Sequence, residues 1–132
     1  MNVRDIRIGD FVSLKTNRYN ENRDDWSEVV SIHANGVEIS TSDRGVVECS
    51  DLDLQGIRVT DNILRTLGGT YYEKKVEYIF NFSGGLRISI RPQLGTDNYI
   101  ASVIGQYRSP FCRFSHIHTL QHWLWDMFKT DI

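Results

Sequence analysis

Several groups of residues in this 132-residue chain carry side chains able to do chemistry. Cys112 precedes His116 and His118, which offers a thiol and a base for nucleophilic catalysis. That chemistry needs the base at hydrogen-bond distance and donors for a developing oxyanion. Four residues along a strand span roughly 13 Å, so the spacing of Cys112 and His116 argues against the pair. Ser115 has histidine neighbours but lacks the glycine pattern of a nucleophile elbow. Asp51 and Asp53 are not followed by the ligand spacing of a calcium loop. Ser83-Gly84-Gly85 leads into a strand pattern and not a helix, so it reads as a hairpin turn and not a phosphate cradle. His118 and His122, at i and i+4, can share one ion with His116 or Cys112 nearby. No carboxylate or cysteine at firm ligand spacing completes that set. No catalytic residue, metal or cofactor is expected, and the chain reads as a non-enzyme.

The strongest functional signal is a tryptophan on the wrong side of a helix. From Ile117 the apolar period becomes helical: Leu120, Trp123, Leu124, Met127 and Phe128 form one stripe, expected to pack across a sheet. At about 100° per residue, the opposite side collects His118, His122, Trp125 and Lys129. An exposed indole adds nothing to its own core. Either Trp125 lies under a second cover, such as a loop or the N-terminal half, or it anchors a contact with a protein partner or a second copy of the chain. Tryptophan is favoured at the centre of such contacts. The interaction reading therefore rests on His118, His122, Trp125 and Lys129.

Nucleic acid is the alternative partner. Arg87 and Arg91 project from the polar side of one strand, and Arg108 and Arg113 lie in the following segments. Tyr71, Tyr72, Tyr99 and Tyr107 are available for stacking, so a sheet surface could grip a single strand. Arg87, Arg91, Arg108 and Tyr99 carry this alternative. The simpler account is a solvated strand face, with Glu73 and Glu77 pairing with Lys74, Arg87 or neighbours across the sheet.

The elements that must position these residues divide the chain in two. Residues 1–59 read as short strands: Phe11 to Leu14, Trp26 to Ile32, Val37 to Thr41, Val46 to Cys49, and a fifth at Gly56 to Thr60, with Thr16 to Asp25 a surface loop. Asn35-Gly36 is expected to supply the positive φ angles of a tight hairpin. Five such strands predict a small SH3- or Tudor-like β-barrel, with an open sheet as its competitor. Residues 60–132 begin with a short helix, capped by Thr60 and stopped at Gly68-Gly69. Strands then follow at Val76 to Phe82, Leu86 to Arg91, Tyr99 to Gln106 and Phe111 to Ser115, ahead of the C-terminal helix. The fold class is α+β: barrel, short helix, and an antiparallel sheet packed against the last helix.

Composition limits the function classes. Apolar residues make up 40% and charged residues 24%, which is a folding composition. The formal charge of −2 excludes a polyanion binder working by bulk charge. That charge is uneven: eight basic against twelve acidic groups up to residue 66, seven against five after it. No run suffices for a membrane span, and the start lacks a signal peptide's apolar core. Cys49 and Cys112 form no metal-type pair and read as free thiols of the reducing cytoplasm.

The segments Arg7-Ile8-Gly9-Asp10-Phe11-Val12, Val29 to Ile32 with Gly36-Val37, Leu52 to Thr60 and Leu67-Gly68-Gly69 together resemble small uncharacterised proteins of gut bacterial genomes and their prophages. Those chains end in a Val-His-x-Leu-Gln-Asn-type helix, which Ile117-His118-Thr119-Leu120-Gln121-His122 is similar to. The likeness departs from the pattern at Gly56 to Thr60, which lacks a proline, and at His122 and Trp123. It implies a small accessory protein of a phage or mobile element, and no activity. His118 and Gln121 match the motif without a role attached to them.

Overall fold

The computed structural model describes residues 1–17, 22–106 and 110–132. The fold is mixed α+β, with two antiparallel five-stranded sheets and a C-terminal helix. The chain divides into two compact units, Met1–Arg58 and Val59–Ile132.

The first unit contains β1 (Phe11–Leu14), β2 (Ser27–His33), β3 (Gly36–Thr41), β4 (Gly45–Cys49) and β5 (Leu54–Gly56), in the order β4-β3-β2-β1-β5. Ile6, Val12, Val29, Val37, Ile39 and Leu54 form its core. The expected closed barrel is not found: among the described residues no pairing joins β4 to β5. The local reason lies in the chain between those strands. Ser50 caps a 3₁₀ turn at Asp51–Asp53 with a reciprocal capping box, and β5 is a three-residue strand at Leu54, ahead of the expected Gly56. Ile57 and Val59 are buried, but outside that strand.

The β2–β3 hairpin forms, for a different reason than Asn-Gly chemistry. His33 pairs with Gly36, so the two loop residues are Ala34 and Asn35, and neither Asn35 nor Gly36 has a positive φ. A register shift between Val29 and Ser31 marks a bulge, which supplies the extra twist that the loop does not. Gly36 is needed for close approach: a Cβ there would stand 3.0 Å from the Cys49 carbonyl oxygen of β4.

The second unit opens with α1 (Asp61–Thr66), whose Ile63 N–H donates to Thr60 Oγ1 at 3.3 Å. Gly68 takes φ +100° beyond the helix, while Gly69 lets the chain pass Phe80, whose ring a Cβ would meet at 2.7 Å. The sheet is a meander of β6 (Thr70–Tyr72), β7 (Glu77–Asn81), β8 (Arg87–Pro92), β9 (Tyr99–Val103) and β10 (Phe111–Phe114), followed by α2 (Ile117–Phe128). β6 was not anticipated, being three exposed residues without an apolar pattern. Val76, the expected first residue of the next strand, is left-handed at φ +50°, so β7 begins one residue later.

The inner face of this sheet is apolar. Tyr78 and Phe80, Ile88 and Ile90, Ala101 and Val103, and Phe114 are all buried. Ile63 and Leu64 of α1 and Ile117, Leu120 and Leu124 of α2 are buried with them, and α2 packs along β10. The expected stripe of α2 is cut short. Burial ends with Leu124; Trp123 and Phe128 are half-buried against each other at 5.2 Å, and Met127 in the last turn is exposed.

Candidate functional site

Two solvent surfaces of the second unit hold the residues of interest. The first is the outer side of α2. Trp125 is 47% exposed on the outer side of the helix's last turns, while Met127, 49% exposed, lies two residues on and about 200° around the axis, at the uncovered end of the inward stripe. The Lys129 ammonium lies 5.7 Å from the centre of the Trp125 ring, a geometry in which the indole face attracts the charge. Lys129 also ends the helix in the left-handed region at φ +53°, its N–H bonded to the Trp125 carbonyl at 2.9 Å. His118 and His122 are half-buried and meet edge to face at 5.8 Å, and His116 stands 5.6 Å before them. The four helix residues expected together thus form two pairs, His118 with His122 and Trp125 with Lys129. Among the described residues, no group of three or more histidine, cysteine or carboxylate side chains could hold a metal ion.

The second surface is the outer face of the sheet, which pairing across five strands defines. One row runs through Tyr72, Glu77, Arg91, Ile100 and Arg113, and the next through Thr70, Ile79, Ser89, Ser102 and Phe111. Asn81 and Arg87 pair beyond them. Two aromatic side chains stand open here, Phe111 at 64% and Tyr72 at 48% exposure. At the Tyr72 end an open pocket of about 560 Å³ is lined by Ile79 and Ile104, by Lys74, Lys75 and Arg87, and by the carboxylates Glu73 and Glu77.

The centre of this face is a polar knot. Glu77 is buried, and its Oε2 accepts from Ser89 Oγ at 2.6 Å and from Arg91 Nε and Nη2 at 3.2 and 3.1 Å. Burial alone would push the Glu77 carboxyl up. The bonds from Ser89 and Arg91, with the charges of Arg91 and Lys75, outweigh it and hold the group below the usual carboxylate range. Arg87 donates from Nε to Asn81 Oδ1 at 3.1 Å.

The tyrosines separate by strand parity. Tyr99 lies on the inner face, away from Arg87 and Arg91: its hydroxyl donates to Asp61 at 3.0 Å, and its ring is 6.1 Å from Phe114. Burial, that hydrogen bond and the Asp61 charge all push its hydroxyl well above the ordinary tyrosine value. Tyr71 likewise faces inward, 4.9 Å from Tyr78, with the Arg65 guanidinium over its ring. Tyr72, Arg87, Arg91 and Arg113 share the outer face; Arg108 and Tyr107 lie outside the described residues. Phe111 was missed as a surface residue, because Phe111 and Phe114 bracket one strand with opposite parity and only register decides which points outward.

One cluster in the first unit resembles a catalytic triad in composition. Ser31 Oγ is 2.7 Å from His33 Nε2, which is 2.6 Å from Glu38 Oε1. Both contacts fall on the same ring nitrogen, whereas proton transfer from serine needs the acid on the other one. The trio is therefore an exposed polar contact of the hairpin. Of the thiols, burial pushes Cys112 up to about 11, and burial with the charges of Asp53 and Glu48 raises Cys49, so both are protonated at neutral pH. No family model, no curated protein and no solved structure matches the chain.

Proposed function

We propose that the chain is a non-catalytic protein-interaction module whose contact surface is the outer side of α2. The observation that carries this reading is Trp125: a half-exposed indole on the outer side of a helix whose Ile117, Leu120 and Leu124 are already buried. A large apolar surface left over after core formation is what a partner or a second copy can cover. The Lys129 cation over the ring favours one presentation of it. His122, one turn earlier, and His118, two turns earlier, supply the polar margin.

In the first unit, the order β4-β3-β2-β1-β5, with a 3₁₀ turn before the returning strand, supports reading the sheet as the open relative of an SH3- or Tudor-like barrel. The free thiols Cys49 and Cys112 support a reducing, cytoplasmic setting. Among the described residues no helix is long and apolar enough to cross a membrane. An accessory role on a phage or mobile element is the context that the resemblance implies.

The test compares wild type with Trp125→Ala in two measurements: sedimentation of the pure chain, and capture from host lysate followed by reconstitution with the captured protein. Trp125→Ala is expected to weaken the contact at least thirtyfold, the range of a hot-spot residue, with folding stability unchanged within about 0.5 kcal/mol. A reconstituted contact that survives Trp125→Ala overturns the reading.

A further inference from the structure

The outer face of the second unit's sheet carries an arrangement that the α2 reading does not use. We propose that this face binds single-stranded nucleic acid, with bases stacked on Tyr72 and Phe111 and the backbone on the cations between them. The register sets the geometry. Tyr72 lies on β6 and Phe111 on β10, the two edges of the sheet, so four strand spacings, about 19 Å, separate them. That distance suits a few extended nucleotides, with Arg91 on β8 between the two rings and Arg113 beside Phe111 on β10.

Charge selects the occupant. Arg91 and Glu77 are paired with each other, which leaves Lys74, Lys75, Arg87 and Arg113 against one further carboxylate, Glu73. Lys74 and Arg113 have no ion-pair partner among the described residues. The surface is thus locally basic on a chain whose formal charge is −2. Its exposed rings offer π faces, which a base can cover from any sequence context. Duplex DNA or RNA presents no free base faces to stack on them. At the Tyr72 end, the pocket of about 560 Å³ lined in part by Ile79 and Ile104 has room for one base, with Lys74, Lys75 and Arg87 beside it for the adjoining phosphates. This placement replaces Tyr99, which faces inward, with Phe111.

The experiment is fluorescence anisotropy of a short fluorescein-labelled oligouridine titrated with the full chain at salt concentrations from roughly 50 to 200 mM. Saturable binding is expected, weakened about five- to hundredfold by Tyr72→Ala or Phe111→Ala, the range for loss of one stacked base. Arg113→Ala should lower the slope of log affinity against log salt by about one. Phe111→Tyr should bind like wild type and Phe111→Leu like Phe111→Ala, since leucine keeps the apolar bulk but has no ring; circular dichroism checks that each variant is folded. Three results each overturn the proposal: no binding at low salt, affinity unchanged by both aromatic substitutions, or polyglutamate displacing the probe as well as unlabelled oligouridine does.

Discussion

The two outer surfaces of the second unit are built in opposite ways. On α2, the residues that matter are neighbours in sequence: His122, Trp125 and Lys129 lie within two turns, and one helix presents them. On the sheet, Tyr72, Arg91, Arg113 and Phe111 come from three strands, and hydrogen-bond register alone puts them on one side. The helix surface is a single apolar projection with a cation on it. The sheet surface is a distributed field of charge with aromatic ends and a buried carboxylate at its centre. A surface of the first kind suits one complementary pocket, and a surface of the second kind suits an extended polyanion. Both depend on the same apolar layer.

The largest expected effect breaks both surfaces together by removing part of that layer. Leu124 is fully buried on α2, and Leu124→Ala should cost about 2–5 kcal/mol through lost transfer energy and the cavity left behind. Phe111→Ala, on the open face, should stay within about 0.5 kcal/mol. Urea unfolding of the three proteins compares them. A Phe111→Ala loss as large as that of Leu124→Ala would mean the ring is part of a core, and the comparison of two free surfaces would collapse.

These two surfaces were not equally legible in the sequence. The helical period from Ile117 onward located α2 and singled out Trp125, because a 3.6-residue repeat is contained within one segment. Its end was misread at Met127, since periodicity does not say how far the cover extends along a helix. Strand alternation found β7 and β8 and placed Arg87 and Arg91 together. It could not relate Tyr99 to them, because the parity of one strand relative to the next is set by loops and pairing. β6 has no pattern to find. Glu77 falls at a polar position by alternation and is nevertheless buried, since Ser89 and Arg91 satisfy it from the adjacent strand. The closed barrel failed for a similar reason: whether the last strand reaches the fourth depends on the turn at Asp51–Asp53, which composition does not reveal.

A middle-sized effect sharpens the role of that central carboxylate. Glu77 titrates below its ordinary value in the folded protein, so its contribution to stability is complete above the unfolded value of about 4.3. The contribution falls away as pH drops through the lower folded value. Glu77→Gln leaves the buried Ser89 hydroxyl an acceptor but takes the negative charge from Arg91, at an expected cost of about 1–2 kcal/mol at pH 7. Thermal unfolding from pH 7 down to pH 3 should show the wild-type advantage over Glu77→Gln shrinking below about pH 4. An advantage constant with pH would mean the residue matters by shape and not by charge. The substitution also frees Arg91 from its carboxylate, so oligouridine should bind the variant no more weakly than it binds wild type.

The smallest effect separates two duties of Lys129. Its backbone ends α2 in the left-handed region, φ +53°, where a residue with a Cβ is strained by roughly 1 kcal/mol. Its side chain meanwhile sits over Trp125, a contact worth about 0.5–1 kcal/mol when exposed. Lys129→Gly relieves the first and deletes the second, so the net change in stability should lie within about 0.5 kcal/mol of zero. Lys129→Ala deletes the contact and keeps the strain, and should be the less stable of the two by several tenths of a kcal/mol. If the indole has to be held by the cation to meet its partner, both variants weaken that contact equally, whatever their stabilities. If the ring alone makes the contact, both variants bind like wild type, since alanine keeps the wild-type helix end and glycine only relaxes it. Measured on the same partner, these two substitutions decide whether the α2 surface is a lone ring or a ring together with its charge.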